Sequence, residues 1–253
     1  MKTIGLLSGK GGVGKTTTAI NLTAGLTSLG KQTILVDANV TTPNVGLHLG
    51  CPTNDITIHH VLKGKNTIHE AVQRHSSGIY FIPGSLAIED MEKLKVSNLK
   101  TIKDLKADFV IVDGAAGLGK EALTTLEHCD ELLIVTNPEL PAMTDALKTI
   151  RIAEELGKTI KGVIVTRVKR DKHDISLRNI EAMLEKPVIA VIPEDPSVRE
   201  ALSLKESLVF SHPHSDAARS YLKLSGIMCG KEIEDIKLSW IDKFFKIFKR
   251  QPQ

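Results

Sequence analysis

The sequence predicts a single α/β domain, in which helices flank a doubly wound and mostly parallel sheet. Two observations support this fold class. The chain has 253 residues, which is enough for one large hydrophobic core. Short apolar runs rich in β-branched residues alternate with helical patterns, as expected for βαβ units. Seven strands are predicted, at residues 3–7, 32–37, 79–82, 109–113, 131–136, 162–166 and 188–192.

The overall composition argues against several classes of protein. Apolar residues make up 42% of the chain and the net charge is only +3, so a polybasic nucleic-acid binder is not expected. No apolar run approaches the ~18 residues of a membrane-spanning helix, and the first strand begins without a signal peptide. Cys51, Cys129 and Cys229 are widely separated. We therefore expect a cytoplasmic protein with reduced thiols and no metal cluster.

A glycine-rich segment after the first strand fits the phosphate-binding pattern G-x-x-x-x-G-K-[ST]. It runs from Gly9 to Thr16 and opens a helical pattern at 16–29, which is the context that this motif requires. Glycines let backbone N–H groups converge on phosphate oxygens at the helix N-terminus. Lys15 is expected to reach the β- and γ-phosphates of ATP or GTP, and Thr16 to ligate Mg²⁺. The predicted nucleotide-binding residues here are Gly11, Gly12, Val13, Gly14, Lys15, Thr16 and Thr17.

Two aspartates directly follow apolar strands. Asp37 ends the second predicted strand and Asp113 ends the fourth. A carboxylate at the end of a buried strand can orient the water shell of Mg²⁺ beside bound phosphates. Asp113 is the preferred candidate for this role, and Thr16 and Asp37 complete the predicted metal site. The alternative for Asp113 is a carboxylate that only closes a turn.

Lys10, directly after the first glycine of the loop, carries a resemblance to a known family. A lysine at this position marks the deviant Walker A group of ATPases, and Val-Thr-Asn-Pro-Glu at 135–139 is similar to a MinD motif. From about residue 1 to 230 the chain resembles MinD and ParA proteins. The resemblance implies ATP and Mg²⁺ as ligands and a homodimer with ATP sandwiched between its subunits. It also implies that Lys10 reaches the partner's phosphates during hydrolysis; a solvated loop lysine is the alternative.

The resemblance also assigns residues around the nucleotide. It implies that Asn137 contacts the base and that Glu139 contacts the partner's nucleotide. The segment 114–117 resembles the loop beneath the γ-phosphate, and Asp145 matches a position that can hold the loop lysine when the dimer is apart. Two loops are expected to close over adenine, and they contribute Arg167, Pro193, Glu194 and Asp195.

One residue departs from the family pattern. MinD and ParA proteins usually carry a second aspartate after the second strand, which positions the attacking water, whereas this chain has Asn39. Asparagine can accept a hydrogen bond, but it offers neither a carboxylate charge nor a proton acceptor. The catalytic candidates are therefore Lys10, Lys15 and Asn39, with slow hydrolysis expected. Residual turnover and negligible hydrolysis with a long-lived ATP dimer both remain open.

The segment after residue 230 differs in composition from the rest. Four of the nine aromatic residues (one Trp, two Tyr and six Phe) lie between Trp240 and Phe248, at helical spacing and beside lysines. We predict an ATPase domain at 1–230 and an amphipathic tail at 231–253 that lies on an anionic membrane. The tail resembles the membrane-targeting helix of MinD; docking on the domain or on a partner protein is the alternative. The predicted membrane residues are Trp240, Ile241, Phe244, Phe245, Ile247 and Phe248.

These features together predict a MinD-like switch on the inner face of the cell membrane, which positions an unidentified regulatory or cargo protein. One alternative is a nucleotide-gated scaffold with negligible hydrolysis. Another is a ParA-type DNA-partition ATPase, which the aromatic tail disfavours. A basic run at 169–172 is expected to be a solvated loop. Four histidines lack nearby ligands at metal-site spacing and are expected on the surface: His59, His60, His212 and His214.

Overall fold

A computed structural model describes residues 1–52, 56–92, 94–117, 119, 122–123, 127–169 and 175–231. Their strands are β1 Lys2–Ser8, β2 Thr33–Asp37, β3 Gln73–Arg74, β4 Tyr80–Ile82, β5 Phe109–Ala116, β6 Glu131–Thr136, β7 Thr159–Val168 and β8 Val188–Pro193. Their helices are α1 Lys15–Ser28, α2 Val45–His48, α3 Ile58–Leu62, α4 Leu140–Glu155, α5 Leu177–Leu184, α6 Ser197–Ser203, α7 Leu208–Ser211 and α8 Asp216–Met228. Two 3₁₀ segments, Ile88–Asp90 and Val96–Asp104, lie between β4 and β5.

The strands form one sheet in the order β3-β4-β2-β5-β1-β6-β7-β8. Neighbouring strands are parallel except for β3 and β4, which pair through two residues on each strand. The predicted fold class is confirmed and each of the seven predicted strands is present. The sequence does not predict β3, because a strand of two residues is too short for an alternating pattern to be recognised.

Alternation along the strands builds a separate hydrophobic core on each face of the sheet. In β1, for example, Ile4 and Leu6 point into the core that holds α1 and α8, whereas Leu7 joins the core that holds α4 and α5. Successive side chains of a strand point to opposite faces. A strand buried on both faces therefore appears as a continuous apolar run, as in the central strands here.

Helix α1, which follows the glycine-rich segment, packs closely on α8. Gly25 makes this approach possible, because a Cβ atom there would lie only 2.1 Å from the Ser225 side-chain oxygen. The Ser225 hydroxyl oxygen lies 2.9 Å from the Tyr221 carbonyl oxygen of its own helix and 3.5 Å from the Leu22 carbonyl oxygen of α1. The close packing fixes the axis of α1, and with it the position of the loop at its N-terminus.

The structure corrects one expectation about the histidines. His59 is completely buried rather than exposed. Its Nε2 lies 2.8 Å from the Val40 carbonyl oxygen, and its Nδ1 accepts a hydrogen bond from the Ser85 N–H at 3.0 Å. The sequence misses this role because both partners are backbone groups distant along the chain. His60 and His212 are partly exposed and His214 is exposed.

Three other expectations concern the cysteines, the loop and the tail. The three cysteines are reduced thiols, and burial raises the pKa of Cys129 to about 12, consistent with an unreactive packing residue.

Within the described part of the chain, no helix is long and apolar enough to span a bilayer. Lys169 is exposed at the end of β7. The rest of the basic run, at 170–172, and the predicted membrane residues at 240–248 lie outside the described residues.

Candidate nucleotide-binding site

The loop between β1 and α1 has the backbone that a phosphate-binding loop requires. Gly12 and Gly14 have φ values of +80° and +85°, in the left-handed region that glycine adopts without a Cβ penalty. At Gly9 a Cβ atom would lie 2.3 Å from the Asp145 carbonyl oxygen, so the start of the loop packs directly on α4. The loop ends at Lys15, the first residue of α1, and therefore presents its N–H groups at a helix N-terminus.

A cleft of about 410 Å³ opens above this loop, at the carboxyl ends of the central strands. Open α/β sheets bind ligands at this edge. The structure brings together most of the residues predicted for the phosphates, and it adds five that the motif does not include. The cleft is lined by Gly11, Gly12, Gly14, Lys15, Thr16, Thr17, Asn39 and Arg167, and also by Ser8, Thr42, Asn44, His48 and Ala116. Val13 instead packs its side chain into the core.

Lys15, Thr16 and Asp113 form one connected group at the base of the cleft. The Lys15 ammonium donates to Asp113 Oδ1 at 2.6 Å and also to the Gly114 carbonyl oxygen. The Thr16 hydroxyl donates to Asp113 Oδ2 at 2.6 Å. Lys15 is 7% exposed and Asp113 is completely buried, so this ion pair lies in a low-dielectric environment. Lys15 and Asp113, which are predicted from separate motifs, thus lie side by side.

Asp37 ends the neighbouring strand, and its oxygens have different partners. Oδ1 accepts from the Asn39 N–H at 3.2 Å, and Oδ2 accepts from the N–H groups of Asn44 and Val45 at 2.9 and 3.0 Å. Burial raises the pKa of Asp37, and the nearby charge of Asp113 raises it further. Asp37 therefore organises the backbone of the loop at 38–45, with three N–H groups converging on one carboxylate.

The Asn39 side chain is engaged within the same loop. Its Nδ2 donates to the Thr42 carbonyl oxygen at 2.7 Å, and its Oδ1 accepts from the Thr42 N–H at 3.3 Å. The Thr42 hydroxyl lies 3.0 Å from Nδ2 and 3.2 Å from Oδ1. An aspartate could not supply the donor for the Thr42 carbonyl oxygen. The amide is thus the side chain that fits this turn.

A second cavity, of about 150 Å³, adjoins the first and shares Gly14, Thr17 and Arg167 with it. Pro193, Glu194 and Asp195, which are predicted to close over adenine, line this cavity, together with Tyr221 of α8, which no sequence motif identifies. Arg167 is one of three non-glycine residues with positive φ among those described, at +55°. Such a conformation costs free energy and is common at ligand sites.

Tyr221 and Asp195 have roles in this second cavity that motif comparison cannot supply. The Tyr221 hydroxyl lies 3.3 Å from the Thr18 hydroxyl, and burial raises its pKa to about 12, so it remains neutral. Asp195 accepts from the Ser197 and Ala217 N–H groups at 2.9 and 3.2 Å. Its carboxylate therefore ties the starts of α6 and α8 together at the rim of the cavity.

Lys10, Asn137, Glu139 and Asp145 are not among the residues that line either cavity. The Lys10 ammonium is 4.0 Å from a carboxylate oxygen of Glu139, and both side chains are about half exposed. Asp145, which the resemblance offers as a partner of Lys10, forms an ion pair with Lys148 at 3.3 Å. Asn137 is nearly buried, and its Oδ1 has no hydrogen-bond partner among the described residues.

Both the fold and the loop geometry define a P-loop nucleotide-binding protein. Residues 4–209 match the family model of CbiA, described as the CobQ/CobB/MinD/ParA nucleotide binding domain. The chain belongs to this family of nucleotide-binding proteins. The predicted resemblance to MinD and ParA ATPases is therefore confirmed over most of the chain.

Individual relatives place the chain near MinD. An uncharacterised ATP-binding protein of Methanocaldococcus jannaschii is 38% identical over 251 residues, covering 96% of this chain and 95% of the relative. The solved cell division ATPase MinD of Pyrococcus furiosus is 34% identical, with a TM-score of 0.87 over 90% of this chain and 98% of that structure. The septum site-determining protein MinD of Pyrococcus horikoshii, solved with Mg-ADP, is 34% identical with a TM-score of 0.85, covering 95% and 98%.

Proposed function

We propose that this protein is an ATP-dependent dimerising switch of the MinD type, which binds an anionic membrane through its tail and positions other proteins. ATP and Mg²⁺ would be enclosed between two copies of the chain. The position of Lys10 is the observation that carries the proposal. The names of the solved relatives, a cell division ATPase and a septum site-determining protein, support the positioning role.

The two lysines of the loop have contrasting environments. Lys15 is buried and its ammonium contacts two oxygens of its own subunit. Lys10 is 48% exposed, and its ion pair with Glu139 is a weak contact at 4.0 Å. An exposed pair of this kind contributes at most about 1 kcal/mol, so Lys10 can be released at little cost. In a dimer, the released Lys10 would reach the nucleotide of the second subunit, where a cation would stabilise charge on the transferring phosphoryl group.

The groups at the base of the cleft suit Mg²⁺. The Thr16 hydroxyl and the Asp113 carboxylate lie within 2.6 Å of each other, and Mg²⁺ is typically held by one or two protein oxygens plus phosphates and water. When bound, the ion would neutralise charge on the β- and γ-phosphate oxygens. Thr16 and Asp113 would hold it, while Asp37 shapes the loop alongside. Lys15 would exchange its contact with Asp113 for phosphate oxygens.

Slow hydrolysis is a further part of the proposal, and the environment of Asn39 favours it. Both polar atoms of the Asn39 amide are bonded to Thr42, and these bonds compete with any hydrogen bond from Asn39 to an attacking water. Phosphoryl transfer depends on positioning and electrostatics, and a poorly positioned water slows it. The same observation favours a second candidate function, a nucleotide-gated scaffold that holds ATP for long periods with negligible turnover.

The tail supplies the membrane contact in this proposal. We assign residues 1–230 to the ATPase domain and residues 231–253 to an amphipathic helix with Trp240, Phe244 and Phe248 on its apolar face. One short interfacial helix binds weakly, but two helices carried by an ATP dimer bind more tightly through their effective concentration. Nucleotide state would thereby control residence at the inner face of the cell membrane.

Co-sedimentation with vesicles tests the proposal. The full chain is mixed with phosphatidylglycerol-rich vesicles and either ATP or ADP, beside a chain lacking residues 239–253 and the variant Lys10→Ala. Lys65→Ala, at another exposed loop lysine, is the matched control. We expect sedimentation with ATP only, lost in the truncation and in Lys10→Ala and kept in the control. Equal sedimentation of the truncated chain, or ATP-dependent binding to non-specific duplex DNA instead of vesicles, would contradict the proposal.

A further inference from the structure

A further cavity, separate from the two described above, lies at the amino ends of β2 and β5, whereas the nucleotide cleft lies at the carboxyl ends of the strands. Its volume is about 480 Å³, somewhat larger than the nucleotide cleft. It is reached from the turns that precede β2 and β5, whereas Asp37 and Asp113 mark the other ends of the same two strands. The cavity is therefore separated from the phosphate loop by the length of the strands. The nucleotide does not account for it.

Apolar side chains form a large part of the wall of this cavity, together with three uncharged polar residues of the segment 27–33. Ile34 of β2 and Leu105 are buried, and Val72 and Ala107 are half-buried beside them. Tyr80, at the start of β4, forms one wall and is 44% exposed, which is unusual for a large aromatic residue on a strand. The Arg74 guanidinium lies 5.9 Å from the centre of its ring. This contact is within the range of a cation–π interaction and holds the aromatic wall in place.

The rim of the cavity is cationic. Lys31 and Lys106 line it from the turns before β2 and β5, and His69 lines it from the segment before β3. Within the described residues, no carboxylate lies within ion-pair distance of either lysine. Asp108 is the carboxylate next to them in the chain, and its Oδ2 accepts from the Gln32 N–H at 2.9 Å. The two ammonium groups are therefore available to an anion from outside.

We propose that this cavity is a binding site for an amphipathic anion, with an acyl or aromatic body inside and a carboxylate or phosphate at Lys31 and Lys106. Its volume lies within the range of small-molecule sites, which combine apolar walls with a few polar groups that fix orientation. The cationic rim selects against a neutral apolar ligand, and the apolar interior selects against inorganic phosphate. The site is independent of ATP and goes beyond the proposed switch.

Binding of dodecanoate to the ¹⁵N-labelled full-length protein, followed by amide chemical shifts, tests the proposal without nucleotide. Dodecanoate is kept below its micelle concentration, and dodecanol is its neutral counterpart. We expect saturable shifts at the amides of Lys31, Ile34, Val72 and Ala107, and much weaker binding of dodecanol. Shifts confined to other regions, or equal binding of the alcohol, would overturn the proposal.

Two double variants of equal net charge separate the rim from general electrostatics. Lys31→Glu with Lys106→Glu reverses the rim, whereas Lys65→Glu with Lys223→Glu reverses two exposed lysines elsewhere. We expect the first pair to weaken dodecanoate binding roughly tenfold or more and the second pair to leave it nearly unchanged. An unchanged affinity in the first pair would refute the assigned role of the rim. Amide shifts outside the cavity report whether each variant remains folded.

Discussion

Asp37 and Asp113 end neighbouring strands, face each other in the register of β2 and β5, and are both completely buried. Their partners nevertheless differ in kind. Asp113 binds two side chains of the phosphate-binding loop, Lys15 and Thr16. Asp37 binds three backbone N–H groups of the loop that follows its own strand. One carboxylate contacts side chains of the phosphate-binding loop, and the other holds the loop after its own strand in shape.

The position of a carboxylate at a strand end therefore does not determine its role. The sequence places both aspartates after apolar runs and includes both in the predicted metal site, with Asp113 preferred. Their hydrogen-bond partners separate them. Removing Asp113 should therefore affect chemistry more than folding, and removing Asp37 should affect folding more than chemistry.

The largest effect is expected for Asp113→Asn. The amide keeps the shape of the carboxylate and can still accept from Lys15, but it removes the charge next to the phosphates. We expect single-turnover phosphate release to fall by roughly 10²–10³-fold, about 3–4 kcal/mol in activation free energy. The exposed Asp104→Asn is the control. A rate within a few-fold of the unmodified protein would show that Asp113 is not part of the chemistry.

The second-largest effect is expected for Asp37→Ala, and it should be a loss in the free energy of unfolding. Three backbone N–H groups lose their acceptor, and each unsatisfied buried group costs about 1–3 kcal/mol. Water entry and relief from the Asp113 charge offset part of this cost, so we expect a loss of about 3 kcal/mol and a fall in Tm of roughly 6–12 °C. Asp37→Asn should lose less, because the amide oxygen still accepts. If both variants melt like the unmodified protein, Asp37 does not anchor the loop.

Asn39→Asp tests the loop at 38–45 at the residue that is predicted to position the attacking water. The carboxylate restores a charge that can order the attacking water, but it loses the bond from Asn39 Nδ2 to the Thr42 carbonyl oxygen. We expect hydrolysis to rise roughly tenfold, with a stability loss of about 1 kcal/mol. Steady-state phosphate release and thermal melting measure the two effects. Equal rates in the two proteins would show that Asn39 does not slow hydrolysis.

The smallest effect is expected from the protonation of His59, which links the Asp37 loop to the segment after β4. With Nε2–H on the Val40 carbonyl oxygen, Nδ1 must be unprotonated to accept from the Ser85 N–H. Burial lowers the pKa of His59 below its ordinary value of 6.5. The unfolded chain thus binds a proton first as pH falls, and the stabilising contribution, present above about pH 6.5, is lost below it.

Thermal melting between pH 7.5 and 5 measures this contribution. The loss attributable to His59 cannot exceed about 1.4 kcal/mol per pH unit. We expect His59→Asn to be less stable at neutral pH but to show a shallower decline on acidification, and His214→Asn, at an exposed histidine, to keep the full decline. Identical slopes in all three proteins would exclude His59 as the source.

The sequence predicts the sheet well because parallel strands buried on both faces give continuous apolar runs. It also predicts Lys15, Thr16 and Asp113, since the loop motif and the strand-end aspartate carry a mechanism. It cannot predict that Asp37 and Asp195 bind backbone N–H groups, because those partners depend on how distant segments fold together. Tyr221 is missed for the same reason: it reaches the second cavity from α8, about 200 residues after the loop.

Light scattering after size separation tests most directly whether ATP joins two chains through Lys10. We expect twice the mass of one chain with ATP and Mg²⁺ and the mass of one chain with ADP. For Lys10→Ala we expect the mass of one chain under both conditions. A single-chain mass with ATP would contradict this expectation. So would a dimer of Lys10→Ala as stable as that of the unmodified protein.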